Sequence, residues 1–415
     1  MTGFNRRQVL MGATALGTLP LLSRAGYAND TVKIGFMAPL SGFQQIVGEQ
    51  VLAGAEIARD HINAAGGING KPIELIIRDD RADANQAAAL MREFGSSGIN
   101  ITMGTPFTAQ AMAAAAIAPS LNGVHMISGA IDPRFSHDLY NPHIFMATQN
   151  SIQRVKASAM VLAEKYPDIK IWGSKMPDIA VAHDTWHLFV PAMQEAYKAM
   201  HNTDLTIIDP VLSKFGNADF KVQIVQLMSL PIEGLFGMEV GSDGVTFYKQ
   251  ARQLGLWNKV KVLSEHSMEI TMGKTLGAET PPDAWCPTHW NPNAFKDVAL
   301  SNHLVDEYTR RTGDLFPGGN AGAADTGLRA LAAGIAAANS TETAAVIAAL
   351  ETVEFECVNG KAHFRKEDHQ IVNAVPIVQV KPSDTEPGWH VTDAARYDGG
   401  ELLPAPTPGE ALTFR

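Results

Sequence analysis

The sequence predicts an α/β fold of two doubly wound, parallel-sheet lobes, and three observations carry that reading. Short β-rich runs alternate with helical ones from Thr31 onward: "VKIGFMAPL", a helix over 48–63, "IELIIRDD", a helix over 85–94, "INITMG", a helix from Thr108, "VHMISG". Such alternation implies a parallel sheet covered on both faces. The same alternation restarts after about residue 150, with "IKIWGSK", "LTIIDPV", "GLFGMEV" and "VKVLSEH" separated by helices near 183–200, 217–228 and 243–254. The third observation is the corner "HINAAGGINGKPIELIIRDD". Val51, Ala55, Ala58 and Ile62 recur at the period of one helix face, Gly66 and Gly67 end the helix, and Ile73, Leu75 and Ile77 resume with strand alternation.

The amino terminus stands apart. Asn5-Arg6-Arg7-Gln8 precedes an apolar, acid-free stretch from Val9 to Leu22, and Gly26-Tyr27-Ala28 supplies the small residues of a cleavage site. Residues 1–28 therefore read as a twin-arginine export signal. The apolar stretch is too short to span a bilayer, and no later stretch approaches ~20 apolar residues. No cysteine closes the signal to carry a lipid anchor, so the expected location is the periplasm, with no membrane insertion of the mature chain. The formal charge of −10, or −13 without Arg6, Arg7 and Arg24, argues against nucleic acid as a partner, because phosphate backbones would repel it. Cys286 and Cys357 are the only thiols, and an oxidising compartment leaves a bridge or two buried thiols equally open.

Farther along, "WCPTHWNPN" has two prolines and no period, as a connection would. A helix over 300–311, an Ala-rich helix over 321–338 and a strand "IVNAVPIVQV" follow, the last able to rejoin the second lobe. Residues 399–415, rich in proline and polar side chains, read as a loosely held tail.

Read in order, "IGFMAPLSG", "INAAGGINGKPIELIIRDD", "GTPFTAQ", "MISGAIDP", "DFKVQIVQL", "FYKQARQLGL" and "FRKEDHQIVNAVPIVQV" resemble the type I periplasmic binding proteins of the branched-chain amino-acid and amide class, over essentially all of 32–381. The resemblance implies two lobes joined by three crossings near 148, 289 and 370, and a hinge that closes over a ligand. It implies a first lobe of 29–148 with 290–369, and a second of 149–289 with 370–398. It further implies a substrate-binding component of an ABC importer, with a small-molecule ligand and an inner-membrane permease as partners, no cofactor and no metal. A soluble sensor feeding a membrane receptor is the alternative within the fold. A periplasmic hydrolase or metalloenzyme is the rival class: His183 and His187 stand one turn apart, but Asp184 occupies the place where a zinc protease has its glutamate. Asp79-Asp80 reads as a strand-end turn rather than an acid/base pair.

Carried onto this sequence, the resemblance implies ligand contacts from Ser41, Phe43 and Gln44, from Thr105, Phe107 and Thr108, and from Gly129, Ala130 and Ile131 in the first lobe. Thr108 reads equally as an N-cap. In the second lobe the candidates are Val181, Trp186, Glu239, Glu265 and His266; Glu239 reads equally as a solvated strand end. Four departures stand out. Ile131 replaces a threonine that meets both ends of an amino-acid zwitterion, and Val47, Val181 and Ala324 replace aromatics. If His266 takes the place of the acid that meets the ligand ammonium, it can donate to an anion instead. The expected ligand is accordingly an organic or aromatic carboxylate, or an amide, rather than a branched-chain amino acid.

Overall fold

The computed structural model describes residues 31–42 and 44–413; the export-signal reading and Phe43 lie outside the described residues. The first sheet is all parallel, with Val32–Ala38 between Ile73–Asp79 and Ile101–Gly104, followed by Val124–Ile127 and Ile144–Met146. Alternate residues feed opposite layers, as strand geometry requires. Ile34 and Phe36 join the core under the Gln45–Ala64 and Gly319–Ala338 helices, whereas Met37 joins the one under Ala84–Ser96 and Thr108–Ile117. The alanines of the Gly319 helix allow close approach: a β-carbon on Gly54 would lie 2.0 Å from the Ala321 carbonyl oxygen. At the first corner Gly66 and Gly67 take φ of 108° and 73°, conformations that side chains disfavour.

The second sheet has a parallel centre of Ala284–Pro287, Val262–Glu265, Gly234–Gly237 and Ile171–Pro177, flanked by Thr206–Ile207 and Val211–Ser213. Two of its strands depart from the expected parallel pattern. Ala374–Pro382 pairs antiparallel with Ala284–Pro287, and Trp389–Asp398 pairs antiparallel in turn. The chain returns to this lobe from the hinge without a crossover helix, and a direct return can only be antiparallel. The stretch read as a connection thus begins as a strand, and "LTIIDPV" splits into two short ones. A three-stranded antiparallel sheet of Phe355–Cys357, Gly360–Phe364 and Ile371–Val372 completes the first lobe's core.

The chain passes between the sheets three times, after Met146, after Pro287 and after Val372. Buried side-chain amides lace these crossings together. Gln149 Nε2 donates to Asn373 Oδ1 at 2.9 Å, and Asn359 Nδ2 donates to the carbonyls of His289 (2.9 Å) and Ala374 (3.1 Å). Asn150 Nδ2 donates to Gln370 Oε1 at 3.0 Å, while Gln370 Nε2 donates to the Thr148 carbonyl at 2.7 Å.

Two expectations change. Cys286 and Cys357 are free, buried thiols in the separate cores of the two lobes, so the disulfide alternative falls. The tail is docked rather than loose: Arg365 Nη1 donates to the Pro404 carbonyl at 2.6 Å, the Gly409 N–H donates to the His137 carbonyl at 2.7 Å, and His137 Nδ1 lies 2.7 Å from Thr407 Oγ1.

Candidate functional site

A cleft of about 330 Å³ opens between the lobes at the carboxyl ends of both sheets, and its walls are built largely from helix starts. Gln44 and Val47 begin the Gln45 helix, Phe107 and Thr108 the Thr108–Ile117 helix, Val240 and Gly241 the Gly241–Gln253 helix, and Asn320 lies in the first turn of the Gly319 helix. None of these four helices has a side-chain cap. The N–H groups of Gln45, Val47, Asp243 and Ala321 turn back to nearby carbonyls, while the other first-turn N–H groups have no partner among the described residues and are left for solvent or ligand, where the helix dipole favours an anion. By contrast, Asp83 and Glu342 cap the Ala84 and Thr343–Leu350 helices, and Asn150 forms a capping box on Ser151–Lys165.

Thr105 sets the loop that delivers Phe107. Its backbone has φ of 53°, and its hydroxyl is spent inside the first lobe, donating to the Gly104 carbonyl at 2.8 Å with His125 Nε2 at 2.9 Å. Thr102 Oγ1 holds the other ring nitrogen at 2.9 Å, and burial lowers the His125 pKa to about 3, so the ring is neutral. The fully buried Thr105 is therefore a positioning residue and not a ligand contact. Thr108 is the first residue of its helix, Phe107 standing at the cap, and its hydroxyl makes no hydrogen bond among the described residues while lining the cleft.

The second-lobe wall carries an ion pair that sequence reasoning missed. Arg154 Nη2 donates to Glu269 Oε1 at 2.9 Å and to the Pro287 carbonyl at 2.5 Å, and Nη1 lies 3.5 Å from His289 Nδ1. Thr288 Oγ1 donates to Glu269 Oε2 at 2.9 Å. Arg154, Glu269 and His289 all line the cleft. Glu269 has φ of 50° and ψ of −138°, a conformation that costs about 1–3 kcal/mol and persists only where the surroundings enforce it. Glu265 enforces it: its carboxylate accepts from the N–H groups of Ser267 (3.0 Å), Met268 (2.8 Å) and Glu269 (3.0 Å). Burial raises the Glu265 pKa to about 7 against the pull of those donors.

Several expected contacts sit elsewhere. Glu265 is fully buried behind the loop it holds. Glu239 is no solvated strand end: it is buried against Lys175, whose Nζ also donates to Ser213 Oγ at 2.8 Å, and only its neighbours Met238 and Val240 reach the cleft. Trp186 belongs to the second core, 5.9 Å from Phe189 and 5.3 Å from Phe236 between ring centroids. Ser41 is exposed and donates to Asp79 Oδ2 at 2.5 Å, closing the strand-end turn that Asp79 shares with the Leu40 N–H. Ala324 is buried one turn below Asn320, so the volume lost there is not cleft volume.

His266 does line the cleft, but stacked on Phe236 at 4.8 Å and bonded through Nε2 to Ser264 Oγ at 2.9 Å. Burial lowers its pKa to about 3, so it offers a neutral ring and no cation. Gln44, Phe107, Thr108, Gly129, Ala130, Ile131 and His266 come together in the cleft, and Val181 lies exposed in an adjoining chamber. Arg154 had a signal: it falls in register with the buried Ala157, Ser158 and Val161, where an arginine requires a partner. Glu269 had none, because its place depends on the strained loop. Among the described residues no cluster of His, Cys, Asp and Glu has the arrangement of a metal site, and His183 bonds Asp178 at 2.8 Å.

Two sheet lobes, joined by three crossings, thus face each other across a cleft of helix starts. The chain belongs to the periplasmic binding protein family, whose model matches residues 31–386. It is 26% identical over 240 residues to a Leu/Ile/Val-binding protein homolog of Brucella abortus, a match covering 57% of this chain and 61% of that one. Among solved structures it resembles an ABC transporter substrate-binding protein from Sphaerobacter thermophilus, with TM-score 0.79, 21% identity, and coverage of 89% of this chain and 98% of that one. It also resembles a solute-binding protein of an ABC transporter from Rhodopseudomonas palustris, in complex with 3,4-dihydroxybenzoic acid, with TM-score 0.74, 20% identity, and coverage of 89% and 98%.

Proposed function

We propose that this protein is the substrate-binding component of an ABC importer, exported by its twin-arginine signal, and that its ligand is an organic carboxylate, aromatic acids foremost. The observation that carries the reading is the convergence of uncapped helix starts from both lobes on one cleft, with Arg154 in its wall. Charge-assisted hydrogen bonds from such amides contribute roughly 1.5–3 kcal/mol each. Ile131 offers no hydroxyl to an ammonium group, and Phe107 supplies an aromatic face. The Rhodopseudomonas relative crystallised with an aromatic acid lends the same ligand class. Ligand contacts to both lobes favour the closed form by their differential affinity for it, and the permease reads that form.

One observation favours an amino acid instead: the Glu269 carboxylate lines the cleft and can meet an ammonium group. A thermal-shift screen of the mature chain against amino acids, aromatic and aliphatic carboxylates, short amides and urea decides between them. A ligand at ~100 times its Kd stabilises the fold by about 2.7 kcal/mol. Shifts with benzoate-class acids support the reading, and shifts with leucine or valine alone overturn it. Loss of uptake on deleting the gene separates delivery from sensing.

A further inference from the structure

The cleft does not end at Phe107. A second chamber of about 390 Å³ lies on the far side of Phe107, Thr108 and Ile131, which line both spaces. Its wall is mostly apolar, with Val181 and Leu188 from the Ala180–His201 helix and Leu412 from the carboxyl-terminal tail. The tail reaches it by crossing from the second lobe over His137 of the first, through the Gly409 and Thr407 hydrogen bonds.

Charge divides the two spaces. In the outer chamber Arg134 Nη2 is bound to Asp132 Oδ2 at 2.6 Å, and Asp184 adds a further negative charge. A carboxylate there would meet two acids and one cation already engaged. In the inner cleft it meets helix starts and the Arg154–Glu269 pair, one acid rather than two. An occupant of both spaces is therefore anionic at the inner end and uncharged and apolar at the outer end.

We propose that the outer chamber is a second ligand subsite, holding the apolar arm of an elongated monocarboxylate whose head lies in the inner cleft, with Leu412 of the tail as part of its wall. This rests on the carboxylate reading above. In that arrangement Val181, on the exposed first turn of its helix, sets the length of arm admitted.

The test is titration calorimetry of the full mature chain with benzoate, phenylacetate, 3-phenylpropionate and 4-phenylbutyrate. Burial of each added methylene strengthens binding roughly threefold to fourfold, so affinity should rise at least tenfold across the series. Val181→Trp fills the chamber and should shrink the ratio of 4-phenylbutyrate to benzoate affinity to within about twofold. Leu412→Ala, on the tail and outside either core, should lower the same ratio severalfold. Benzoate binding with a flat or falling series, or an unchanged ratio in both variants, overturns the subsite and leaves the carboxylate reading standing. No binding by any of the four acids overturns both.

Discussion

Replacing Arg154 by methionine should destabilise the second lobe and weaken ligand binding together. The Arg154 side chain is 5% exposed and that of Glu269 is 14%. Breaking a buried pair by removing one partner costs about 3–5 kcal/mol, because the remaining charge stays desolvated. Glu269 keeps the Thr288 hydroxyl, which places the expected loss near the lower end, about 3 kcal/mol. For a domain of this size that is a fall in melting temperature of roughly 6–12 °C. The assay is urea unfolding followed by tryptophan fluorescence at neutral pH, with Arg154→Met/Glu269→Gln measured beside the single variant. Glutamine keeps the shape and can still accept from Thr288, so the double variant should recover most of the stability while binding stays weak. A single-variant loss below about 1 kcal/mol, or a double variant no more stable than the single, would refute the argument that the pair is held as a desolvated unit.

Ile131→Thr should raise affinity for leucine, read by calorimetry; no rise means that this position does not set ligand choice. Lys175→Met leaves Glu239 buried without its counter-charge, with both side chains fully buried, and should cost about 3–5 kcal/mol in urea midpoint analysis, largely restored by Lys175→Met/Glu239→Leu. Acid should destabilise the fold. His125 and His266 are lowered to about 3, so between pH 6.5 and 3 the unfolded chain binds protons that the folded one refuses. Glu265, raised to about 7, works in the opposite sense between its unfolded value near 4.5 and 7, where the folded form holds the extra proton. Burial lowers His289 in the same sense and raises Asp80 to about 6 in the opposite one, so the histidines still outnumber the acids and stability should fall with pH, measurable as a falling urea midpoint from pH 6.5 to 5. Gln149→Leu removes the donor to Asn373 and should cost about 1–3 kcal/mol while widening the angular distribution between lobes seen by small-angle scattering.

The alternation of strand and helix was legible because apolar period and glycine corners are local, whereas the three crossings were expected only from the resemblance. The edge strand Trp389–Asp398 was not read as a strand within the second lobe: it is half exposed, and its pairing is set by Ala374–Pro382. The Phe355–Cys357 hairpin did carry a signal, Asn359-Gly360 between short alternating runs. In the site, residue type was a poor guide to direction. Thr105 looks like a donor to ligand, but its hydroxyl goes to His125, twenty residues away. Glu265 and Glu239 are the conspicuous acids at strand ends, yet both are turned inward. Glu269 takes the cleft position only because the Glu265 carboxylate holds three successive N–H groups.

The amide contacts that lace the three crossings are neutral and donate to carbonyl oxygens, and they stand beside a single guanidinium, that of Arg154, on Pro287 and His289. Ionic contacts at such a joint would weaken as counterions screen them, with the screening length falling from ~30 Å at 0.01 M salt to ~3 Å at 1 M. Amide contacts have no net charge to screen. The share of the joint's stiffness that these amides supply is thereby decoupled from the ionic strength around it.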